Sequence, residues 1–109
     1  MAEPLIHATM NIEFRRHSDG LTYHFQPVPS IGGKPAWRRV DLAVWITHVV
    51  ELGWATVDEH GQINGIPWAV PVNHQGALPP AGEWVSKKGS KSYVYDLVFV
   101  EQSNPALTP

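Results

Sequence analysis

The sequence predicts an α+β fold: a single domain, residues 1–109, in which one helix packs across a face of a twisted antiparallel sheet of five or six strands. Three observations predict this fold. Segments of alternating polar and apolar residues are separated by turn residues, which is typical of β-hairpins. One central segment combines helical periodicity with capping residues at both ends. Strands and helices do not alternate, so the element order ββαββββ indicates an antiparallel sheet.

Length and composition limit the possible classes of protein. A chain of 109 residues has the size of one domain. It is 43% hydrophobic and 17% charged, so it can bury enough apolar surface to fold and is not a disordered chain. The absence of cysteine excludes disulfides, cysteine-ligated metals and a thiol nucleophile. The net charge of −2 argues against a dedicated nucleic-acid binder, since such proteins are usually basic.

No targeting pattern is recognisable. The residues after Met1 lack the basic start and the apolar run of a signal peptide. No stretch reaches the roughly 18 apolar residues that a membrane-spanning helix requires. We therefore expect a cytoplasmic protein that makes no contact with a membrane.

The first hairpin is predicted around Asp19-Gly20, a dipeptide that favours two-residue turns because both of its residues tolerate a positive φ. Such a turn pairs Phe14 with Phe25 and Arg16 with Tyr23. These pairings place apolar side chains together on one face of the two strands. The alternating segments on either side of the turn are Met10–His17 and Leu21–Gln26.

Proline residues are predicted to end the second strand, because proline cannot donate a hydrogen bond to an inner ladder. Pro27 and Pro29 both follow the second alternating segment. We interpret residues 27–35 as a loop whose length is typical of functional loops.

The helix is predicted over residues 41–52. Asp41 suits the N-cap position, and Gly53 suits the left-handed residue that ends many helices. Apolar side chains, among them Trp45, cover about half of the helical wheel. The segment is also rich in β-branched residues, so a buried strand is the alternative interpretation.

The remaining chain is predicted to be β-structure with one long loop. Two hairpins are expected, and a short edge strand lies between them. Residues 71–82, rich in proline and glycine, form the second long loop. Residues 1–8 and 102–109 are expected to be flexible termini. The hairpin strands are Trp54–Val57 with Gln62–Asn64, and Glu83–Ser86 with Ser92–Val100; the edge strand is Trp68–Val70.

The histidines do not predict a metal site. His17 and His24 share the polar face of the first hairpin, but no third ligand stands at a suitable spacing. No nucleophile elbow or phosphate-binding loop is present either. We expect neither a metal nor a cofactor.

Five tryptophans are the most unusual feature of this composition. Three of them stand beside the predicted loops or on edge strands, where large rings either cap a core or recognise a partner. Tryptophan and arginine are concentrated at binding hot spots, so we predict a recognition surface that includes two neighbouring arginines. The predicted binding residues are Trp37, Arg38, Arg39, Trp68 and Trp84.

The leading functional hypothesis is a non-enzymatic binding or interaction module with an unidentified protein or small-molecule partner, whose recognition surface is built from residues 27–39 and 65–84. The first alternative is a small enzyme that uses His48 with Asp41 or Glu51, since one polar helix face would bring these side chains together for acid–base chemistry. A cleft over that face would favour the enzyme.

The second alternative is a regulator that binds nucleic acid through Arg15, Arg38 and Arg39, near aromatic rings that can stack on bases. A single convex basic face would favour it, while the acidic net charge makes nucleic acid an unfavoured partner.

A two-fold dimer is expected, because one helix cannot cover a whole sheet face and exposed edges must be covered. In general character, and without a specific motif, the chain resembles the orphan single-domain proteins carried by bacterial mobile elements such as phages and integron cassettes.

Overall fold

The computed structural model of the chain describes residues 10–101, the side chain of Lys88 excepted. These residues form eight strands and one three-residue 3-10 helix, and they contain no α-helix, so the predicted α+β fold is wrong. The segments predicted as flexible termini, residues 1–8 and 102–109, lie outside the described residues. The elements are β1 (Asn11–Arg16), β2 (Thr22–Ile31), β3 (Lys34–Arg39), β4 (Val44–Val49), β5 (Gly53–Asp58), β6 (Ile63–Ile66), the 3-10 helix (Val72–His74), β7 (Gly82–Lys88) and β8 (Lys91–Val100).

The strands form one closed antiparallel barrel. Each strand pairs with the next along the chain, and β8 pairs with β1 to close the sheet. Ile12 faces Phe99 across this closing seam, and Phe14 faces Leu97. Closure leaves the eight-stranded sheet without an edge. The expected two-fold dimer rested partly on such an edge, so a dimer, which stays a prediction, would not form by pairing of edge strands.

The predicted helix is a β-hairpin. Residues 44–49 are β4, and β5 begins at Gly53, which lies opposite Val49. The physical reason is the run of β-branched residues, whose stiff side chains favour extended backbone. Gly53 does adopt a positive φ of 95°, as does Glu51 at 70°, but both residues serve the β4–β5 turn. The alternative interpretation, a strand, is therefore confirmed for this segment.

The first hairpin is present with the predicted faces but a different register. Phe14 pairs with Tyr23, and Ile12 pairs with Phe25, a shift of two residues from the predicted pairing. The shift keeps every apolar side chain on the same face, because side chains alternate with a period of two.

The register differs because the loop has four residues, 17–20, between Arg16 and Leu21. The backbone N–H of Arg16 donates to the carbonyl of Leu21 at 2.8 Å. Only Gly20 of the Asp-Gly dipeptide has a positive φ, 74°. Asp19 instead accepts a hydrogen bond from the Leu21 N–H at 3.1 Å, which fixes the longer turn.

The prolines do not end β2, which continues to Ile31. The backbone N–H of Val40 donates to the carbonyl of His24. In this part of β2, the backbone groups of even-numbered residues therefore form hydrogen bonds with β3, and those of odd-numbered residues point towards β1. Pro27 is an odd position beyond the last β1 pair, and Pro29 lies at the register shift between Val28 and Ile31, so strand pairing tolerates both prolines. The predicted loop is a tight turn at Gly32-Gly33, where both φ values are positive.

Aromatic and aliphatic side chains fill the barrel. An eight-stranded barrel has an interior just wide enough for its side chains. Phe14 lies near the centre of the aromatic packing, with ring centroids 5.1 Å from Phe25 and 5.3 Å from Trp84. The buried core consists of Ile12, Phe14, Phe25, Trp37, Ile46, Trp54, Trp84, Tyr95 and Leu97.

The three buried indoles each donate a hydrogen bond to a carbonyl outside the strands. Trp37 Nε1 donates to the carbonyl of Met10 at 2.7 Å, and Trp54 Nε1 donates to the carbonyl of Gly76 at 3.1 Å. Trp84 Nε1 donates to the carbonyl of Pro80 at 2.8 Å. Residues 67–81, which connect β6 to β7, therefore close the barrel end at which β1, β3, β5 and β7 begin.

Phe14→Ala tests the inward and outward alternation of β1. We expect the free energy of unfolding to fall by about 3–5 kcal/mol, because a buried aromatic side chain is lost and a cavity remains. The matched variant Arg15→Ala, on the exposed face, should change this free energy by no more than about 0.5 kcal/mol. Urea unfolding measures both values, and equal losses would contradict the alternation.

Candidate functional site

The predicted binding tryptophans lie in different environments. Trp37 and Trp84 have no exposed surface, because both fill the barrel interior. Trp68, in the segment after β6, is 59% exposed. Of the three tryptophans predicted for recognition, Trp68 is the one available to a partner.

The two predicted arginines are neighbours in sequence but lie on opposite sides of the barrel wall. Arg38 projects outward, and its guanidinium carbon lies 5.4 Å from the centroid of the Trp45 ring. Arg39 projects towards the barrel interior, where its guanidinium carbon lies 3.7 Å from the centroid of the Tyr23 ring. The structure therefore does not bring Arg38, Arg39 and Trp68 together into one surface.

Two arginine–aspartate pairs stand at the barrel end opposite residues 67–81. Arg16 donates to both carboxylate oxygens of Asp19, at 3.0 and 2.8 Å. Arg39 binds Asp41 in the same way, at 2.6 and 3.1 Å. The hydrogen bonds from Arg16 lower the pKa of Asp19 to about 2, and those from Arg39 lower the pKa of Asp41.

The cavity beneath these ion pairs is small. It has a volume of about 30 Å³ and is lined by Tyr23, Arg39 and Thr56, among others. A space of this size holds about one water molecule. Since the arginines are already bound to carboxylates, this end of the barrel is a closed structural element and not an anion site.

Asp19→Asn tests the contribution of the Arg16–Asp19 pair to stability. The pKa of Asp19 is lower in the folded state than its ordinary value of 3.8, so its stabilising effect is present above that value. The effect is lost as the pH falls through about 2. We expect the variant to melt a few degrees below the wild type at pH 7 and the difference to vanish in strong acid.

Asp58→Asn is the matched control, because Asp58 accepts turn hydrogen bonds from the backbone N–H groups of His60 and Gln62. Thermal melts monitored by circular dichroism at several pH values measure the difference. A gap between wild type and Asp19→Asn that is the same in strong acid and at neutral pH would contradict the assignment.

An apolar groove lies on the outer wall where β6 meets β7. Its volume is about 450 Å³. Ile63, Ile66, Trp68 and Val85 supply its apolar walls, and Lys87 is the charged residue among the lining side chains that the structure describes. We call this feature the β6–β7 groove.

Irregular pairing of β6 creates the groove. The ladder between β6 and β7 has two residue pairs, Gly65 with Ser86 and Ile66 with Val85, although β7 itself continues to Lys88. On its other side, β6 has a register shift against β5 between Thr56 and Val57. The two strands β6 and β7 therefore separate towards the beginning of β6, where the groove opens.

The groove walls are apolar residues exposed to solvent. Ile63 is 44% exposed and Ile66 is 40% exposed, beside the more exposed Trp68. A second groove of about 160 Å³ lies on the other side of Ile66 and Trp68, with Leu52 and Val72 among its lining residues. A cluster of exposed apolar side chains, unlike a single one, marks a binding surface.

Hydrogen bonds to Gln75 hold the segment that carries Trp68. The Gln75 side-chain oxygen accepts the backbone N–H of Trp54 at 2.9 Å, and its Nε2 donates to the carbonyl of Val70 at 2.9 Å. A Cβ atom at Gly53 would lie 2.5 Å from that oxygen, so glycine is required there by space as well as by its positive φ. The wall of the groove is therefore preformed.

Comparisons with protein-family models, with curated proteins and with solved structures found no match to this chain.

Of the residues predicted for an enzyme, Asp41 and His48 are separated. Asp41 pairs with Arg39 at one end of β4, whereas His48 packs against the Trp54 ring near the other end, with centroids 5.4 Å apart. The four residue steps from Val44 to His48 alone span about 13 Å of extended chain. A helix would have placed Asp41 and His48 on one face, about two turns apart, whereas here they lie near opposite ends of β4.

The arginines predicted to bind nucleic acid are also dispersed. Arg15 projects outward from β1 and forms an ion pair with Glu13 at 2.9 Å, away from the inward-facing Arg39. The structure therefore does not place Arg15 and Arg39 on a single basic face.

Possible metal ligands do not cluster in the described chain. Within residues 10–101, no three histidine, aspartate or glutamate side chains come together as possible metal ligands.

The same residues, 10–101, contain no helix with the length and apolarity needed to cross a membrane.

The sequence did not indicate Ile63 and Val85 as site residues, because both lie in predicted hairpin strands. Ile66 lies within the predicted recognition segment 65–84 but was not among the predicted binding residues. A signal was nevertheless present: Gly65 and Pro67 interrupt the strand between Ile63 and Trp68, and such interruptions mark bulges and irregular pairing.

Proposed function

We propose that this protein is a non-enzymatic binding module that holds the apolar part of a ligand in the β6–β7 groove. The observation that carries the proposal is a preformed apolar groove walled by exposed Ile63, Ile66 and Trp68. Its volume of about 450 Å³ falls within the range of roughly 300–1,000 Å³ typical of small-ligand sites.

The chemistry of the walls supports binding. Ile66 and Trp68 present apolar surface that water covers poorly, and covering such surface contributes about 25 cal/mol per Å². The walls are held by the barrel strands and by Gln75, so little conformational entropy is lost when a ligand binds. A large, rigid indole at the edge of a groove is a common hot-spot residue.

The lining favours binding over acid–base chemistry. Apart from Lys87, the described lining residues carry no titratable side chain. Asn64 is the other polar lining residue, and its side-chain oxygen accepts the hydroxyl of Thr56 at 2.6 Å. Such a lining orients a ligand and offers no general acid–base pair.

A titration with 1-octanol tests this function. We expect backbone amide shifts at Ile63, Ile66 and Val85 in two-dimensional NMR spectra and a change in the fluorescence of Trp68. Ile66→Glu should abolish both signals, because a carboxylate would then occupy the apolar wall.

Ile31→Glu is the matched control, since Ile31 is 42% exposed at the end of β2, on the far side of the barrel. It should leave the binding of 1-octanol unchanged. Saturable shifts at residues outside the groove, or equal losses in the two variants, would contradict the proposal.

We also propose a cytoplasmic location and a two-fold dimer, as the sequence predicts. Because the barrel has no edge to extend, such a dimer would use the exposed apolar residues of the outer wall. Sedimentation equilibrium at micromolar concentration should give twice the chain mass of 12.1 kDa. A mass that stays at that of one chain would contradict the dimer and leave the groove proposal intact.

A further inference from the structure

Lys87 gives one end of the β6–β7 groove a positive charge. Val85 and Lys87 alternate with Ser86 along β7, so both project outward, about 7 Å apart. Val85 lies opposite Ile66 in the ladder, and Lys87 therefore lies towards the end where β6 begins. The groove thus has an apolar end near Trp68 and a cationic end near Ile63.

The ammonium group of Lys87 is available to a ligand. Arg15, Arg16 and Arg39 each form an ion pair with a carboxylate, and Arg38 stacks on Trp45. Across the residues that the structure describes, no carboxylate forms such a pair with Lys87. The residue that pairs with Lys87 on β8 is Ser92, which is neutral.

Asn64 lies beside Lys87 in the groove lining, but its side chain is already bound to another residue. Its side-chain oxygen accepts the hydroxyl of Thr56, which lines the cavity inside the barrel. Lys87 is therefore the group that meets the charged end of a ligand, and a cation beside an apolar wall matches a carboxylate attached to an apolar chain.

We propose that the ligand of the β6–β7 groove is a small amphipathic carboxylate. Its apolar chain lies along Ile66 and Trp68, and its carboxylate binds Lys87. This inference rests on the proposed function of the groove and specifies the class of ligand.

The geometry favours a small molecule over an extended peptide. Recognition of a peptide by strand addition needs a free sheet edge, and the closed barrel provides none. The three residue steps from Ile63 to Ile66 span roughly 10 Å, and the Trp68 ring lies beyond them. A straight chain of about eight carbons fits this length.

Octanoate and 1-octanol are the probes that test the inference, because they share a chain and differ in the charged end. Binding is measured by isothermal titration calorimetry at pH 7, where octanoate is ionised. Lys87→Gln should weaken octanoate binding about two- to fivefold, as expected for a solvent-exposed ion pair, and leave 1-octanol binding unchanged. Lys91→Gln, at the tip of the same hairpin and outside the groove lining, should change neither.

The outcomes separate the inference from the proposed function. Weaker octanoate binding in Lys87→Gln but not in Lys91→Gln, with 1-octanol binding unchanged in both, supports the amphipathic carboxylate. Equal octanoate affinity in wild type and Lys87→Gln, with 1-octanol still bound, overturns the carboxylate and keeps the apolar groove. Absence of binding by both probes to the wild type overturns the proposed function and this inference together.

Discussion

The packing of three tryptophans inside the barrel is the interaction on which the rest of the structure depends. An eight-stranded barrel must be filled by its own side chains, and Trp37, Trp54 and Trp84 fill it with no exposed surface. Each indole also carries an N–H that must find an acceptor when it is buried. The acceptors at Gly76 and Pro80 belong to the connection between β6 and β7, so filling the core also fixes that connection.

The groove follows from this arrangement. The connection that caps the barrel leaves β6 at Pro67, and β6, at four residues, is the shortest of the described strands. Because the segment is held from beneath by Gln75, the Trp68 ring cannot fold back into an interior that is already full. Core packing and the exposed apolar wall are therefore two consequences of the same chain path.

The sequence predicted the hairpins β1–β2, β5–β6 and β7–β8, because a period of two is a local signal, but it missed the hairpins β2–β3 and β4–β5. The helix prediction failed at residues 44–49, where both faces of the strand carry apolar residues and a half-apolar helical wheel arises by chance. For the site, Trp68 was predicted as a binding residue and is exposed. The sequence could not show that Trp37 and Trp84 lie in the interior. The interior exists only because β1 pairs with β8, and these strands are far apart in the sequence.

A filled interior determines where this fold can bind anything. Eight-stranded barrels either pack their lumen or reserve it for one small ligand. Here the interior cavity lined by Tyr23 and Arg39 has a volume of about 30 Å³, which is too small for an organic ligand. The binding that we propose therefore uses the outer wall, at the place where β6 and β7 diverge. In the described chain β6 forms two residue pairs with each of its neighbours, whereas β7 forms seven with β8, and the groove of about 450 Å³ opens beside the weakly paired strand.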